Sequence, residues 1–375
     1  QKRVKGLFQR LLEGSHAQIT PSCAVIVLST LGGLKWGLYD TITALVGTVK
    51  KGLGSLSVQQ MVDVVFSLSQ LRFLSDSLLS KTSETLLELI NDTDTVGGRD
   101  LSTFVFSCAV LGYQDTDFFH QASEHFDDLM DDMGSYDVMR SVWALTINDS
   151  MSAAQFNRVL KKVLAKPNDY ASTDAGLGNR FYQAYLIHSA NGSISKELED
   201  EYRQSEARGI LRERWLTMDN LIAARTIKGR FTHDIEDALK QLKVSYQKGI
   251  IKDDAHIDFL LSLSTRFQKT PIDIALVVAG PMQTTIGPRR LTGSALAEIA
   301  LMSSMGLRPV VVSFVEVGDW LNNSGQHLRF FLKDLLEGEG YLLPYTQLSS
   351  KARSKRKKMA VEEMITMGEE EEEGG

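Results

Sequence analysis

Five apolar segments recur along the first half of the chain, each with hydrophobic positions returning at helical spacing. They read AVIVLSTLGGLKW, DVVFSLSQLRFL, TFVFSCAVLGYQ, RSVWALTINDSM and RFYQAYLIHSAN. Their anchors Val27, Phe66, Phe106, Trp143 and Tyr182 follow at intervals of 39, 40, 37 and 39 residues. Second amphipathic segments lie between them, with stripes at Leu86, Leu87 and Ile90, at Phe126, Leu129 and Met130, and at Val159, Leu160, Val163 and Leu164. Ser57 with Gln60, and Ser152 with Gln155, have the spacing of capping boxes, in which hydroxyl and amide satisfy the first backbone N–H groups. No proline interrupts residues 22–166, as stacked helices require. Residues 20–192 therefore read as helical hairpins of about 38–40 residues, each needing a neighbour to bury its apolar face. An irregular helical bundle is the competing reading.

From Ser193 the repeat fades while the pattern stays helical as far as Lys248, and residues 193–230 read as a connector. The stretch SKELEDEYRQSEARGILRERW carries Arg203, Arg208, Arg212 and Arg214, which either face RNA or pair with neighbouring glutamates on a solvated face. Beyond residue 250 the periodicity changes. HIDFLLSL (256–263), PIDIALVVAG (271–280) and RPVVVSFVEV (308–317) read as strands, the last rich in valine. LTGSALAEIALMSSMG reads as a helix with Thr292 or Ser294 as N-cap and Gly306 as its stop. QHLRFFLKDLLEGEG reads as an amphipathic helix, with Leu328, Phe331, Leu332, Leu335 and Leu336 on one face. The expected fold is mainly α, a helical-hairpin array (α-solenoid) followed by a small α/β domain over residues 231–345.

Charge divides the chain more sharply than the net −6 suggests. Residues 1–56 hold 7 basic and 2 acidic residues, whereas 57–150 hold 4 and 16. Residues 151–268 return to a slight basic excess, 18 against 15, and 269–375 hold 12 against 14. Some surface of the first half must be acidic and would repel phosphates. Residues 1–19 place Val4, Leu7, Phe8, Leu11 and Leu12 opposite basic positions, as in the tail of an organelle presequence or a basic helix packed on the first repeat. Residues 346–375 form an expected flexible tail, with KARSKRKK (351–358) followed by GEEEEEGG. No apolar run approaches the ~18 residues of a membrane-spanning helix. Cys23 and Cys108 suggest reduced thiols rather than a disulfide scaffold, and no histidine has metal-ligand spacing. KGLGSLS lacks the ending of a phosphate-binding loop, and no nucleophile elbow or kinase signature is present.

The order HDIEDALKQL, IDFLL, VVAGP, LTGSALAEIALMSSMGLRPVVVSFVEVGDW resembles a RAP domain, the module that ends FAST-kinase-like and octotricopeptide-type helical-repeat proteins of mitochondria and plastids. The residues that carry it are Gly280, Pro281, Leu291, Thr292, Gly293, Gly306 and Trp320. The resemblance implies a restriction-endonuclease-like core, in which nuclease members converge carboxylates on a divalent metal. At the positions it implies, this chain keeps Asp258 but carries Val277, Ala279 and Gln283 where acids and a histidine stand in family members. Asp273 lies four residues before Val277, too far along a strand to substitute.

The chain is accordingly expected to be non-catalytic, with no metal, cofactor, membrane or small-molecule substrate. It should bind ribosomal or messenger RNA in the mitochondrial matrix, a plastid being the lesser alternative, as part of the mitochondrial ribosome or another ribonucleoprotein. The expected RNA contacts are Arg289 and Arg290 beside the Leu-Thr-Gly helix start, and Lys351, Arg353, Lys355, Arg356, Lys357 and Lys358 of the tail. Acidic repeats would meet protein subunits. A protein-only scaffold and a residual metal-dependent endonuclease are the alternatives.

Overall fold

A computed structural model describes residues 19–92, 95–223, 227–265, 267–268, 270–324 and 327–344. The amphipathic segment 1–18 and the basic and acidic tail, with Lys351, Arg353, Lys355, Arg356, Lys357 and Lys358, lie outside the described residues. Sixteen α-helices and five strands occur among the described residues. They fall into two compact units. A helical unit is drawn from Gln1–Arg225, Asp253–Ala255 and Ala279–Gly306; an α/β unit is drawn from Thr226–Lys252, His256–Val278 and Leu307–Gly375.

In the helical unit, alternate helices pack on one another in succession. Its first helices are α1 (Pro21–Leu34), α3 (Val58–Leu71), α5 (Gly98–Val110), α7 (Ser135–Ile147) and α10 (Ala175–Ala190), and each packs on the next. The second helices are α2 (Tyr39–Lys51), α4 (Asp76–Asp92), α6 (Thr116–Leu129), α8 (Ala153–Ala165) and, after the short α9 (Pro167–Ala171), α11 (Lys196–Gln204). Helix α12 (Glu206–Ala223) packs on α10 and α11. Local chemistry sets the boundaries. Both capping boxes form: the Gln60 backbone N–H donates to Ser57 Oγ at 3.3 Å and Ser57 N–H to Gln60 Oε1 at 3.0 Å. The Ser152 N–H likewise donates to Gln155 Oε1 at 2.9 Å. The anchors read from sequence all fall on first helices. Trp143 and Tyr182 are fully buried, whereas Phe66 and Val27 are half-buried.

The segment Ala279–Gly306, read from sequence as the middle of the α/β module, is part of the helical unit. After Gly280 the chain forms a turn at Pro281–Gln283 and a short hairpin in which Thr284 bridges Leu291. That hairpin docks on the C-terminal end of α3: Ile286 N–H donates to the Arg72 carbonyl at 2.6 Å, and the Arg72 guanidinium donates to the carbonyls of Pro281 and Thr284 at 2.5 and 3.1 Å. Helix α14 (Gly293–Ser304) then lies across α5, α7 and α10. Thr292, not Ser294, is its N-cap, although the Thr292 hydroxyl makes no capping bond. Close approach explains the small residues here. A Cβ on Gly112, whose φ is +66°, would fall 2.1 Å from the Leu291 carbonyl oxygen. Gly306, with φ +73°, ends the unit's last segment just after α14.

In the α/β unit, strands β1 (Tyr246–Lys252), β2 (Ala255–Thr265), β3 (Ile272–Ala279) and β4 (Arg308–Ser313) run in that order across the sheet, and β5 (Tyr341–Leu342) pairs with β2. β2 and β3 are antiparallel, with Phe259 opposite Leu276 and Leu261 opposite Ile274. One sheet face buries Phe259, Leu261, Leu276, Val278 and Val312 against helices α13 (Ile227–Gln241) and α16 (Leu328–Gly338). Each such side chain contributes about 1.5–3 kcal/mol of burial. Trp320 lies on α15 (Phe314–Ser324) and meets the Phe331 ring edge-on at 5.7 Å.

Two sequence expectations need correction, and a fifth strand is added. β1 was expected to continue the helical pattern to Lys248; it is a largely exposed strand with Gly249 at φ +60°. The positive-φ pair Asp253 and Asp254, at 49° and 64°, turns it tightly into β2. The valine-rich strand stops at Ser313, and Phe314-Val315-Glu316-Val317 begins α15 instead, because Val317 reaches the core at helical spacing. β5 carries too few residues to give a periodic signal.

Candidate functional site

The first-helix layer presents two guanidiniums on aromatic rings. Arg140, on α7, lies over the rings of Tyr136 at 4.2 Å, Phe106 at 5.3 Å and Phe66 at 6.0 Å. Arg180, on α10, lies over Phe106 and Trp143, both at 4.8 Å. Helical register produces this ladder. Arg140 and Arg180 occupy equivalent positions in successive first helices, and the rings Phe66, Phe106 and Trp143 come from three neighbouring ones. Phe106 and Trp143 stack obliquely with centroids 5.6 Å apart, and Trp143 Nε1 donates to Gln183 Oε1 at 3.1 Å. The ring positions are therefore fixed.

The hydrogen-bond partners of Arg140 are neutral. Arg140 donates to Thr103 Oγ1 at 3.1 Å and to Tyr136 Oη at 3.0 Å. Among the described residues neither guanidinium has a carboxylate within ion-pair distance. Burial pushes the Arg180 guanidinium below its ordinary value; Asp174 opposes this and the neighbouring positive charge of Arg140 adds to it. Two like charges that share the Phe106 ring make a place where an anion lowers the energy. Three carboxylates, Asp63, Asp100 and Asp137, belong to the same first helices at 37-residue intervals. Burial first, and then the fields of Asp63 and Asp137 against Arg99, leave the Asp100 carboxyl above its usual range. Asp137 is occupied by Ser102 Oγ at 3.0 Å.

A recess of about 360 Å³ opens between α1 and α3 in this layer. Phe66 forms part of its wall, with Lys35, Asp63 and Gln70 also lining it. The Phe66 ring thus belongs both to the recess and to the arginine ladder.

The residues singled out from sequence are placed differently. Arg290 is committed to Asp76 at 3.0 Å, and Arg289, at φ +55°, sits on the turn of the same docked hairpin. Arg212 makes a two-pronged bond to Asp254, with Nε to Oδ2 at 2.7 Å and Nη2 to Oδ1 at 2.6 Å. Arg208 reaches the same carboxylate at 3.4 Å and Tyr182 Oη donates to it at 2.8 Å. Arg203 pairs with Glu199 and Arg214 donates to the Thr173 carbonyl. On the second-helix layer, Asp127 and Asp131 are met by Arg158 and Lys162, which hold the Asp131 carboxyl below its usual range.

Asp258 and Val277 each lie next to the paired Phe259 and Leu276 and alternate onto the sheet face away from the Phe259 core, as does Ala279. Asp258 Oδ2 accepts the Val278 N–H at 2.9 Å, while Val277 and Ala279 are buried apolar side chains. Gln283 accepts the Gly280 N–H at 3.0 Å and donates to Glu298 Oε1 at 2.8 Å. No group of three or more His, Cys, Asp or Glu able to hold a metal occurs among the described residues. None of their helices is long and apolar enough to cross a membrane.

Sequence reasoning missed Arg140 and Arg180. Their signal was present, since each opens its aligned segment, RSVW and RFYQ, three residues before Trp143 or Gln183. No protein-family model matches the chain, and no curated protein matches it.

Proposed function

We propose that this chain is a non-catalytic RNA-associated protein of the mitochondrial matrix, a helical-repeat array joined to a RAP-like α/β module, working within the mitochondrial ribosome or another ribonucleoprotein. The observation that carries the reading is the pair Arg140 and Arg180, half-buried over Phe66, Phe106 and Trp143 with no carboxylate in ion-pair range among the described residues. Stacked arginine and aromatic faces suit phosphate and base together. The committed arginines, Arg290, Arg208 and Arg212, are poorer candidates because an incoming phosphate must displace a carboxylate. Exposed Glu84, Glu88, Glu124 and Asp128 on the second helices suit basic protein subunits. Asp258 accepts a β3 backbone amide N–H, and Val277 and Ala279 are buried apolar side chains, which supports a binding role over cleavage.

Binding of a labelled single-stranded RNA, followed by anisotropy as salt rises from ~50 mM, tests the proposal. Arg140→Ala with Arg180→Ala should weaken binding at least about tenfold and reduce the log–log salt slope by roughly 1–2. Absence of binding by the unaltered chain at low salt, or an unchanged affinity in the double variant, would overturn it and favour a protein-only scaffold.

A further inference from the structure

We infer that the first-helix layer holds one nucleotide of an unpaired strand, its base in the recess between α1 and α3 against Phe66 and its phosphate on Arg140. This rests on the RNA-associated reading and specifies the form of RNA it takes. The geometry is continuous. Phe66 lines the recess and the guanidinium of Arg140 lies 6.0 Å from its ring centroid, so the recess and the cation meet at one side chain. The volume of about 360 Å³ falls within the ~300–1,000 Å³ of small-molecule sites.

The polar groups around the ring are unspent. Asp63 Oδ1 accepts from Gln59 Nε2 at 2.9 Å, which leaves Oδ2 without a protein partner among the described residues. Among the described residues, the Gln70 amide and the Lys35 ammonium that line the recess make no hydrogen bond or ion pair. An aromatic face, a carboxylate oxygen, an amide and an ammonium match a planar heterocycle attached to phosphates. Asp63 selects a base that offers adjacent N–H donors on its edge, and guanine does so through N1 and N2. A duplex cannot enter, because its bases are stacked and its edges paired.

The test uses the full chain and seven-nucleotide RNAs, uridine throughout except for a central G, A or C, with the same strands annealed to complements. Single strands should bind at least about tenfold more tightly than duplexes, and the central G should bind several-fold better than A. Phe66→Leu keeps an apolar side chain but removes the ring. It should cost about tenfold in affinity at an unchanged melting temperature, and Phe66→Tyr should restore it. Asp63→Asn should erase the G preference and leave uridine binding intact. If duplex and single strand bind equally and Phe66→Leu is silent, while Arg140→Ala with Arg180→Ala weakens both, the inference fails and the RNA reading survives. If the unaltered chain binds no RNA at ~50 mM salt, both fall.

Discussion

A methyl group on Gly293 would lie 2.0 Å from the carbonyl oxygen of Ala109 and 3.0 Å from the Trp143 indole. The Leu-Thr-Gly stretch therefore marks the point at which α14 meets the first-helix layer, and the glycine is there because nothing larger fits. Gly293→Ala must push backbone from backbone, and should destabilise the chain by about 1–3 kcal/mol. Gly209 in α12 is the contrast, since a Cβ there meets nothing within 4 Å. Gly209→Ala should stabilise by about 0.5–1 kcal/mol through the entropy of the unfolded chain. Urea midpoints measure both, and equal shifts in the same direction would refute the contact argument.

His188 is buried on α10, with its ring stacked on Phe156 at 4.0 Å and its Nε2 3.1 Å from Thr146 Oγ1. Burial pushes its pKa down to about 4 from 6.5. The folded value is depressed, so the unfolded chain takes up the proton first. Stability is then complete above about pH 6.5 and is lost as pH falls toward 4. His188→Asn should be destabilising at pH 7 but show a flatter stability profile between pH 6.5 and 4. Parallel profiles for the two proteins would show that His188 does not titrate as its burial requires.

Arg290 and Asp76 form an ion pair with side chains 53% and 44% exposed. Such pairs contribute little, about 0–1 kcal/mol. Arg290→Ala should leave stability within about 1 kcal/mol of the unaltered chain, and should weaken RNA binding less than Arg180→Ala. A larger loss at Arg290 than at Arg180, by anisotropy, would return the phosphate contact to the hairpin.

What the sequence made legible was local. Ser57 with Gln60, and Ser152 with Gln155, announce their helices because every atom of a capping box lies within four residues. The anchors Phe106, Trp143 and Tyr182 announce the first helices because burial imposes a period. Tyr246–Lys252 was hidden because an exposed edge strand buries too little to impose one. The site was hidden for a different reason. Arg140 and Arg212 look alike in sequence. What separates them is that Asp254 comes back 42 residues later to Arg212, whereas no acid comes back to Arg140 among the described residues. Pairing of that kind is a property of tertiary arrangement and has no periodicity to read.

Asp254 itself gives the last prediction. Its carboxylate takes both prongs of Arg212, the Tyr182 hydroxyl and a longer contact from Arg208, and its backbone carbonyl accepts the Trp215 indole N–H at 2.6 Å. Hydrogen bonding from Arg212, opposed by burial and aided by Tyr182, holds the carboxyl below its ordinary value of 3.8. A depressed acid contributes stability that is fully present above the unfolded pKa and disappears as pH falls through the folded one. Asp254→Asn keeps the turn's shape, since asparagine tolerates the positive φ of 64°, but surrenders the charge. It should cost about 2–3 kcal/mol at pH 7. The difference from the unaltered chain should begin to narrow below about pH 4 and close as pH falls through the lowered folded pKa, where protonation makes the native carboxyl neutral as well. Urea unfolding at stepped pH from 7 to 3 measures the convergence. A gap that stays constant over that range would mean that shape rather than charge holds Asp254 among its arginines.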